Sequence, residues 1–152
     1  MQGGNFMRNY QIYLIEDEFA MHYYGREKLF FNLFLEYINS KGYHKSILQK
    51  QIEYVTKDIP FSKLSKAIAE RRNPTHDHVS ENEVYYTETK NGTSKAALVI
   101  GKDYLHLKSE GTYEAETEFF ESIRKCESGF LALDFENNHF GWLKPVKERK
   151  FV

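Results

Sequence analysis

An α+β fold is predicted by three features of the chain. These are the order of its elements, a run of alternating strands joined by turn residues over residues 83–108, and one nearly continuous apolar stretch over residues 130–135. The expected arrangement is a single domain, with a mixed or antiparallel sheet and about four helices packed on it. A chain of 152 residues has the size of one ordinary domain. Such a chain buries roughly 68–70% of the surface its unfolded form exposes. No internal repeat or linker divides it, so residues 10–152 are assigned to one domain. Residues 1–9, with Gly3, Gly4 and two Asn, are assigned to a disordered leader.

Residues 10–15 (YQIYLI) are rich in strand formers and make the first expected strand. Asp17 is placed as the N-cap of a helix running from Phe19 towards Ile38. At 100° per residue, Phe19, Tyr23, Phe30, Phe34 and Tyr37 fall within about 60° of one another, an amphipathic stripe. Gly25 interrupts it and is a place for the helix to kink or split. Ser46 followed by Gln49 matches a capping box and opens a helix with Leu48, Ile52 and Val55 on one face. Asp58 and Pro60 begin a third helix, with Phe61, Leu64 and Ile68 at helical spacing, and Asn73-Pro74 ends it. Residues 75–82 read as polar loop.

A β meander follows. Residues 83–89 form one strand, and Asn91-Gly92 is a hairpin signal because both central residues of a type I′ turn need φ > 0. Residues 95–100 return, and residues 104–108 alternate with Leu105 and Leu107 facing inward. Thr112 is expected to cap a fourth helix, with Glu114 in its first turn, where the macrodipole favours an acid. Its buried stripe is Ala115, Phe119, Ile123 and Cys126. Gly129 stops that helix, and the FLALDF run after it predicts a strand covered on both faces. Asn137-Asn138 turns the chain into a last strand near residues 140–143.

Composition excludes several classes. The formal net charge of −1 provides no global field for nucleic acid or anionic membrane. The longest purely apolar runs are a handful of residues, whereas a membrane-spanning helix needs about 20. No secretory signal is visible in residues 1–9, and the single cysteine cannot form an internal disulfide, so a cytoplasmic location is expected. The 12 Phe, 11 Tyr and 1 Trp supply a core, and an excess near the surface would suit a protein-binding patch.

Catalysis finds little footing. His76, Asp77 and His78 cluster in the polar loop without an obvious third ligand, and structural zinc takes four. Cys126 lies on an apolar stripe and reads as a small buried hydrophobe, although Arg124 and Lys125 beside it would lower its pKa if it were exposed. Most of Glu114, Glu116, Glu118 and Glu121 project away from the Phe119/Ile123 stripe as a solvated face. No phosphate-binding glycine loop occurs, and no cofactor or metal is expected. Lys144, Lys147, Arg149 and Lys150 make a short basic tail, which by charge alone gives only weak, salt-sensitive contact with nucleic acid.

Two segments carry a resemblance. The first is Tyr13-Leu14-Ile15, Glu18-Phe19-Ala20, His22-Tyr23 and Gly25-Arg26-Glu27 (YLI..EFA.HY.GRE). The second is Tyr113 to Thr117 (YEAET), Phe119-Phe120-Glu121, Phe130-Leu131-Ala132, Asp134-Phe135 and the ending GWLKPVKERKFV. Together they closely resemble the SirA family of endospore-forming bacteria, from about Tyr10 to the last residue, with a looser match over residues 42–108. The leader looks longer than in the family, so Met1 and Met7 both stand as candidate starts. The resemblance implies a sporulation inhibitor of replication that binds the N-terminal domain (domain I) of the initiator DnaA, with no direct nucleic-acid or membrane contact. It places DnaA-contacting positions at Phe19, Tyr23 and Gln51, and implicates Pro145 in activity.

Read from the residues alone, Phe19 and Tyr23 are an i,i+4 apolar pair that suits either a core or a partner. The charges of Arg26 and Glu27 fall inside their sector, which a core face should not carry unpaired; Arg26 is therefore placed at an interface rim or paired with an acid. Gln51 projects from an apolar face and needs a hydrogen-bond partner. Three functions compete on this basis: a DnaA-binding inhibitor, a nucleic-acid-binding module using the basic tail, and a small enzyme using Cys126 or the His76–His78 loop.

Overall fold

In the computed structural model, which describes residues 7–71, 78–79 and 83–144, the chain opens with β1 (Met7–Ile15). The helices α1 (Asp17–His22), α2 (Lys28–Asn39) and α3 (Gly42–Val55) follow, then β2 (Thr56–Lys57) and α4 (Phe61–Arg71). A meander comes next, of β3 (His78–Val79), β4 (Tyr85–Glu88), β5 (Ser94–Ile100) and β6 (Leu105–Gly111). The chain continues through α5 (Glu114–Cys126) to β7 (Phe130–Asp134) and β8 (His139–Trp142). The strands form one sheet in the order β3-β4-β5-β6-β1-β7-β8, with β2 paired to the end of β1 and every pair antiparallel. This is the single α+β domain expected, with its sheet antiparallel and not mixed.

Strand β1 is central. It pairs with β6 through Ile12↔Leu105 and with β7 through Ile12↔Ala132, so its backbone is bonded on both edges. Because side chains alternate, it serves two cores. Ile12 and Leu14 join Leu98, Leu107, Phe130 and the α4/α5 residues Leu64, Phe119 and Ile123 on one face. Tyr13 and Ile15 join Leu131, Leu133 and the α2/α3 residues Phe30, Phe34 and Ile52 on the other. The FLALDF run behaves as predicted: every residue of β7 is buried. The stripe Ala115, Phe119, Ile123 and Cys126 is buried as well. No helix among the described residues is long and apolar enough to cross a membrane.

Several expectations need correction. The assigned leader is too long, since Met7–Asn9 belong to β1 and Arg8 is buried; residues 1–6 lie outside the described residues. The helix expected from Phe19 to Ile38 is two helices, because Gly25 takes a left-handed φ of +81° that ends one and redirects the chain into the next. The helices are thus five among the described residues, not about four. Glu16, not Asp17, precedes α1, and Tyr113, not Thr112, precedes α5; neither start has a side-chain cap. Ser46 lies inside α3, which begins at Gly42, so the capping box does not form. At Asn91-Gly92 only Gly92 has positive φ, and its N–H donates to Thr89 O at 2.9 Å. The hairpin therefore closes by a turn over Thr89–Gly92 and not by a two-residue type I′ turn. His78 pairs in β3 with Tyr86 of β4 and does not sit in a loop; His76, Asp77, Asn73 and Pro74 lie outside the described residues.

A buried polar network fastens α5 to the sheet. Arg8 Nε donates to Glu116 Oε1 at 2.5 Å, Ser109 Oγ donates to the same oxygen at 2.8 Å, and the Tyr10 hydroxyl donates to Glu116 Oε2. Arg8 further reaches the carbonyls of Gly111 (2.9 Å) and Thr112 (3.0 Å) and stacks over the Tyr113 ring. Burial, and then the bond to Glu116, push the Tyr10 phenol above its ordinary pKa. Glu116 is only 2% exposed, so it is the exception on a helix face read as solvated. Breaking a buried pair from one side costs about 3–5 kcal/mol, whereas replacing both partners costs far less. We therefore expect Glu116→Leu to lose about 3–5 kcal/mol in urea unfolding, and Arg8→Met/Glu116→Leu to lose clearly less than Glu116→Leu alone.

Candidate functional site

A groove of about 610 Å³ lined by exposed apolar side chains lies where α1, α2 and α3 meet. Its position follows from the end of β1. Glu16 N–H donates to Val55 O at 2.8 Å, and Ile15 pairs with Thr56, so the start of α1 and the end of α3 are held side by side. Phe19 of α1 and Tyr23 at its C-terminus form one wall. Leu29, Phe30 and Leu33 of α2 contribute the second, and Ile47, Gln51 and Tyr54 of α3 the third. Phe30 is buried, but Tyr54 is 74% exposed, Leu29 49% and Ile47 38%. Large apolar side chains are thus left open in one contiguous groove.

The predicted positions converge here. Phe19, Tyr23 and Gln51 all line the groove, although Gln51 is separated from Tyr23 by 28 positions. Phe19 and Tyr23 are half-buried: each packs against the core beneath α1–α3 and presents its remaining surface to the groove. They are thus neither wholly core nor wholly surface. The rings meet in two pairs, with Phe19 5.2 Å from Tyr54 and Tyr23 edge-on to Phe30 at 5.4 Å. Gln51 is exposed, so it escapes the burial that would have demanded an internal partner. Arg26 is exposed beside the groove; its guanidinium lies 5.2 Å from the Tyr23 ring and donates to His22 O at 3.3 Å. Its partner is an aromatic face and a carbonyl, not an acid. Pro145 lies outside the described residues.

Sequence reading missed Leu29, Ile47 and Tyr54. The signal that could have found them is their place off the buried stripe: on α3, Leu48 and Ile52 are buried while Ile47, Gln51 and Tyr54 are exposed on the adjoining face. A second concavity of about 400 Å³ lies over β4–β6, where none of the described helices contributes a lining residue. It is lined by Met7, Tyr86 and a set of charges in which Lys95 already pairs with Glu110 at 2.9 Å. It lacks the aromatic centre of the first.

The chain is similar to known proteins along nearly its whole length. The profile of the family described as sporulation inhibitor of replication protein SirA matches residues 8–147. A protein of Bacillus subtilis (strain 168), named sporulation inhibitor of replication protein SirA, is 37% identical over 147 residues, covering 95% of this chain and 99% of that one.

Of the residues weighed for chemistry, His76 and Asp77 lie outside the described residues. Among the described residues no group of three or more His, Cys, Asp or Glu is placed to hold a metal. His44 pairs with Glu36 at 3.0 Å on the surface, and His106 is held below its ordinary pKa by burial and then by Lys108. Cys126 is buried on the inner face of α5, and burial pushes its thiol up, away from the reactive thiolate. We expect native protein at neutral pH to resist alkylation of Cys126 by iodoacetamide, with full modification only in denaturant. Rapid modification of the folded protein, read by intact mass, would contradict this placement.

Proposed function

The chain belongs to the SirA family of sporulation inhibitors of replication, and on that footing we propose that it restrains initiation by binding domain I of DnaA through the α1–α2–α3 groove. The reading is of a cytoplasmic protein that acts by occupying its partner, without catalysis, cofactor or direct nucleic-acid contact. One observation carries it: Phe19, Tyr23 and Gln51, the positions the resemblance assigns to DnaA contact, line a single groove whose exposed apolar members are Leu29, Ile47 and Tyr54.

The chemistry of the groove suits such a partner. Its centre is aromatic and aliphatic, and its edge carries Arg26, Lys50 and the Gln51 amide. Interfaces concentrate their energy in a few well-packed aromatic anchors surrounded by polar groups that fix register. Phe19 and Tyr23 are suited to this role, because packing beneath them has already restricted their rotamers and little further entropy is lost on binding. Arg26 over the Tyr23 ring can keep that ring in place and still offer donors to an acidic or carbonyl group of the partner.

Titration calorimetry against domain I of the host's DnaA tests the reading. Phe19→Ala and Tyr23→Ala should each weaken binding by about 2 kcal/mol or more, roughly thirtyfold, with unchanged circular dichroism. Val99→Thr, on the open face of β5, should bind as the parent does. Absence of any complex with the parent chain would overturn the proposal, and unfolding of both alanine variants would make these residues core alone.

A further inference from the structure

We infer that Glu27 and Trp142 are positioning residues of the groove: a single carboxylate oxygen locks the turn between α1 and α2 to the last strand of the sheet. The inference rests on the groove being the DnaA-binding surface. Glu27 Oε1 accepts from Trp142 Nε1 at 3.1 Å and from the backbone N–H of Gly25 at 3.1 Å. Gly25 is the left-handed residue of the turn that carries the chain from Tyr23 into α2, and a side chain added there would touch nothing within 4 Å. Packing does not hold this point of the turn, so hydrogen bonds must. Arg26 N–H closes the turn locally on Tyr23 O at 2.7 Å, and the Glu27 carboxylate joins it to β8, 115 residues away.

The aromatic contacts follow the same route. Trp142 stands edge-on to Phe30 at 6.2 Å, and Phe30 stands edge-on to Tyr23 at 5.4 Å. Displacing the turn therefore displaces Tyr23, one of the groove's anchors, while the helices on either side keep their own cores. Neither Glu27 nor Trp142 lines the groove, so they act through the position of Tyr23 and Arg26.

The test is a set of binding titrations against domain I of DnaA with Glu27→Ala, Glu27→Gln, Trp142→Phe and the double variant Glu27→Ala/Trp142→Phe. Glu27→Gln keeps an acceptor oxygen and should bind within about twofold of the parent, whereas Glu27→Ala should weaken binding by about tenfold. The double variant should match Glu27→Ala, because both changes remove the same link. Hydrogen exchange gives an independent readout: the Gly25 amide should exchange faster in Glu27→Ala and be restored in Glu27→Gln. Equal binding by the parent and all variants would overturn the lock and leave the groove intact as the site. Glu27→Gln as weak as Glu27→Ala would also overturn it, since charge and not the acceptor would then matter. No binding by the parent would overturn the partner assignment itself, and an unchanged Gly25 amide in Glu27→Ala would dismiss the lock even then. If Glu27→Ala fails to fold, Glu27→Gln and Trp142→Phe still decide: Trp142→Phe binding like the parent contradicts the inference.

Discussion

Strand β1 has a paired strand on each edge and a helical layer on each face, and its residues 12–15 are all buried. A strand in that position cannot slip. Side chains alternate with period two, so a shift of one residue would exchange Ile12 and Leu14 with Tyr13 and Ile15, moving each set into the other core. The two cores are shaped differently. One receives aliphatic residues of α4 and α5, and the other takes the Tyr13 ring stacked 4.1 Å from Phe34. The register of β1 therefore specifies which helices lie on which face. It also sets where the strand ends. Ile15 N–H donates to Gly129 O at 2.8 Å, and a Cβ on Gly129 would come within 2.8 Å of Ile15 O, so the chain before β7 must approach as glycine.

The groove is a consequence of that ending. Beyond Ile15 the chain enters α1 at once, while α3 returns through Thr56 to pair with the same strand end. Both helices meet the sheet at this one strand terminus, and Leu29, Phe30 and Leu33 of α2 line the space beside them. Six residues are too few for α1 to bury a full face of its own, and of its side chains only Ala20 is fully buried. Phe19 and Tyr23 are left half-covered for this reason, and Tyr54, on the last turn of α3, meets Phe19 and little else. The exposed aromatic surface thus comes from the geometry of the strand end and not from an amphipathic helix turned outward.

Much of this was legible in the residues, and what was not has physical causes. The apolar run at Phe130–Asp134 and the stripe Ala115, Phe119, Ile123 and Cys126 were readable because burial on both faces or along one helix face is a periodic signal. Phe19 and Tyr23 were visible as a pair, but their half-burial was not, since periodicity cannot distinguish a half-covered ring from a covered one. Arg8 and Glu116 escaped because their pairing spans 108 positions and each looks solvated locally. The wheel did hold a hint: Glu116 lies seven residues before Ile123, about 20° from it, inside the buried sector. The helix starts were misplaced for a related reason. Thr112, Asp17 and Ser46 have cap chemistry, but the sheet and the neighbouring turns decide where each helix begins, and tertiary contacts override a preference worth about 1 kcal/mol.

The proposed binding surface would have to expose apolar rings without promoting self-association, and the side chains around the groove bear on both demands. An exposed apolar patch becomes an aggregation hazard when it is broad and uninterrupted. Here Lys50 and Gln51 are set among Ile47, Tyr54 and Val55 on α3, and Arg26 lies over the Tyr23 ring. Each polar group divides the apolar surface without filling it. Farther along the same face of the sheet, the part of β4–β6 that the described helices leave open is handled otherwise, with Lys95 and Glu110 paired across neighbouring strands. Charges paired within the chain leave little electrostatic incentive to recruit a partner, whereas single polar groups around unfilled aromatic surface leave much. That contrast, more than the size of either concavity, is why the helical groove and not the β4–β6 face is the one proposed to bind.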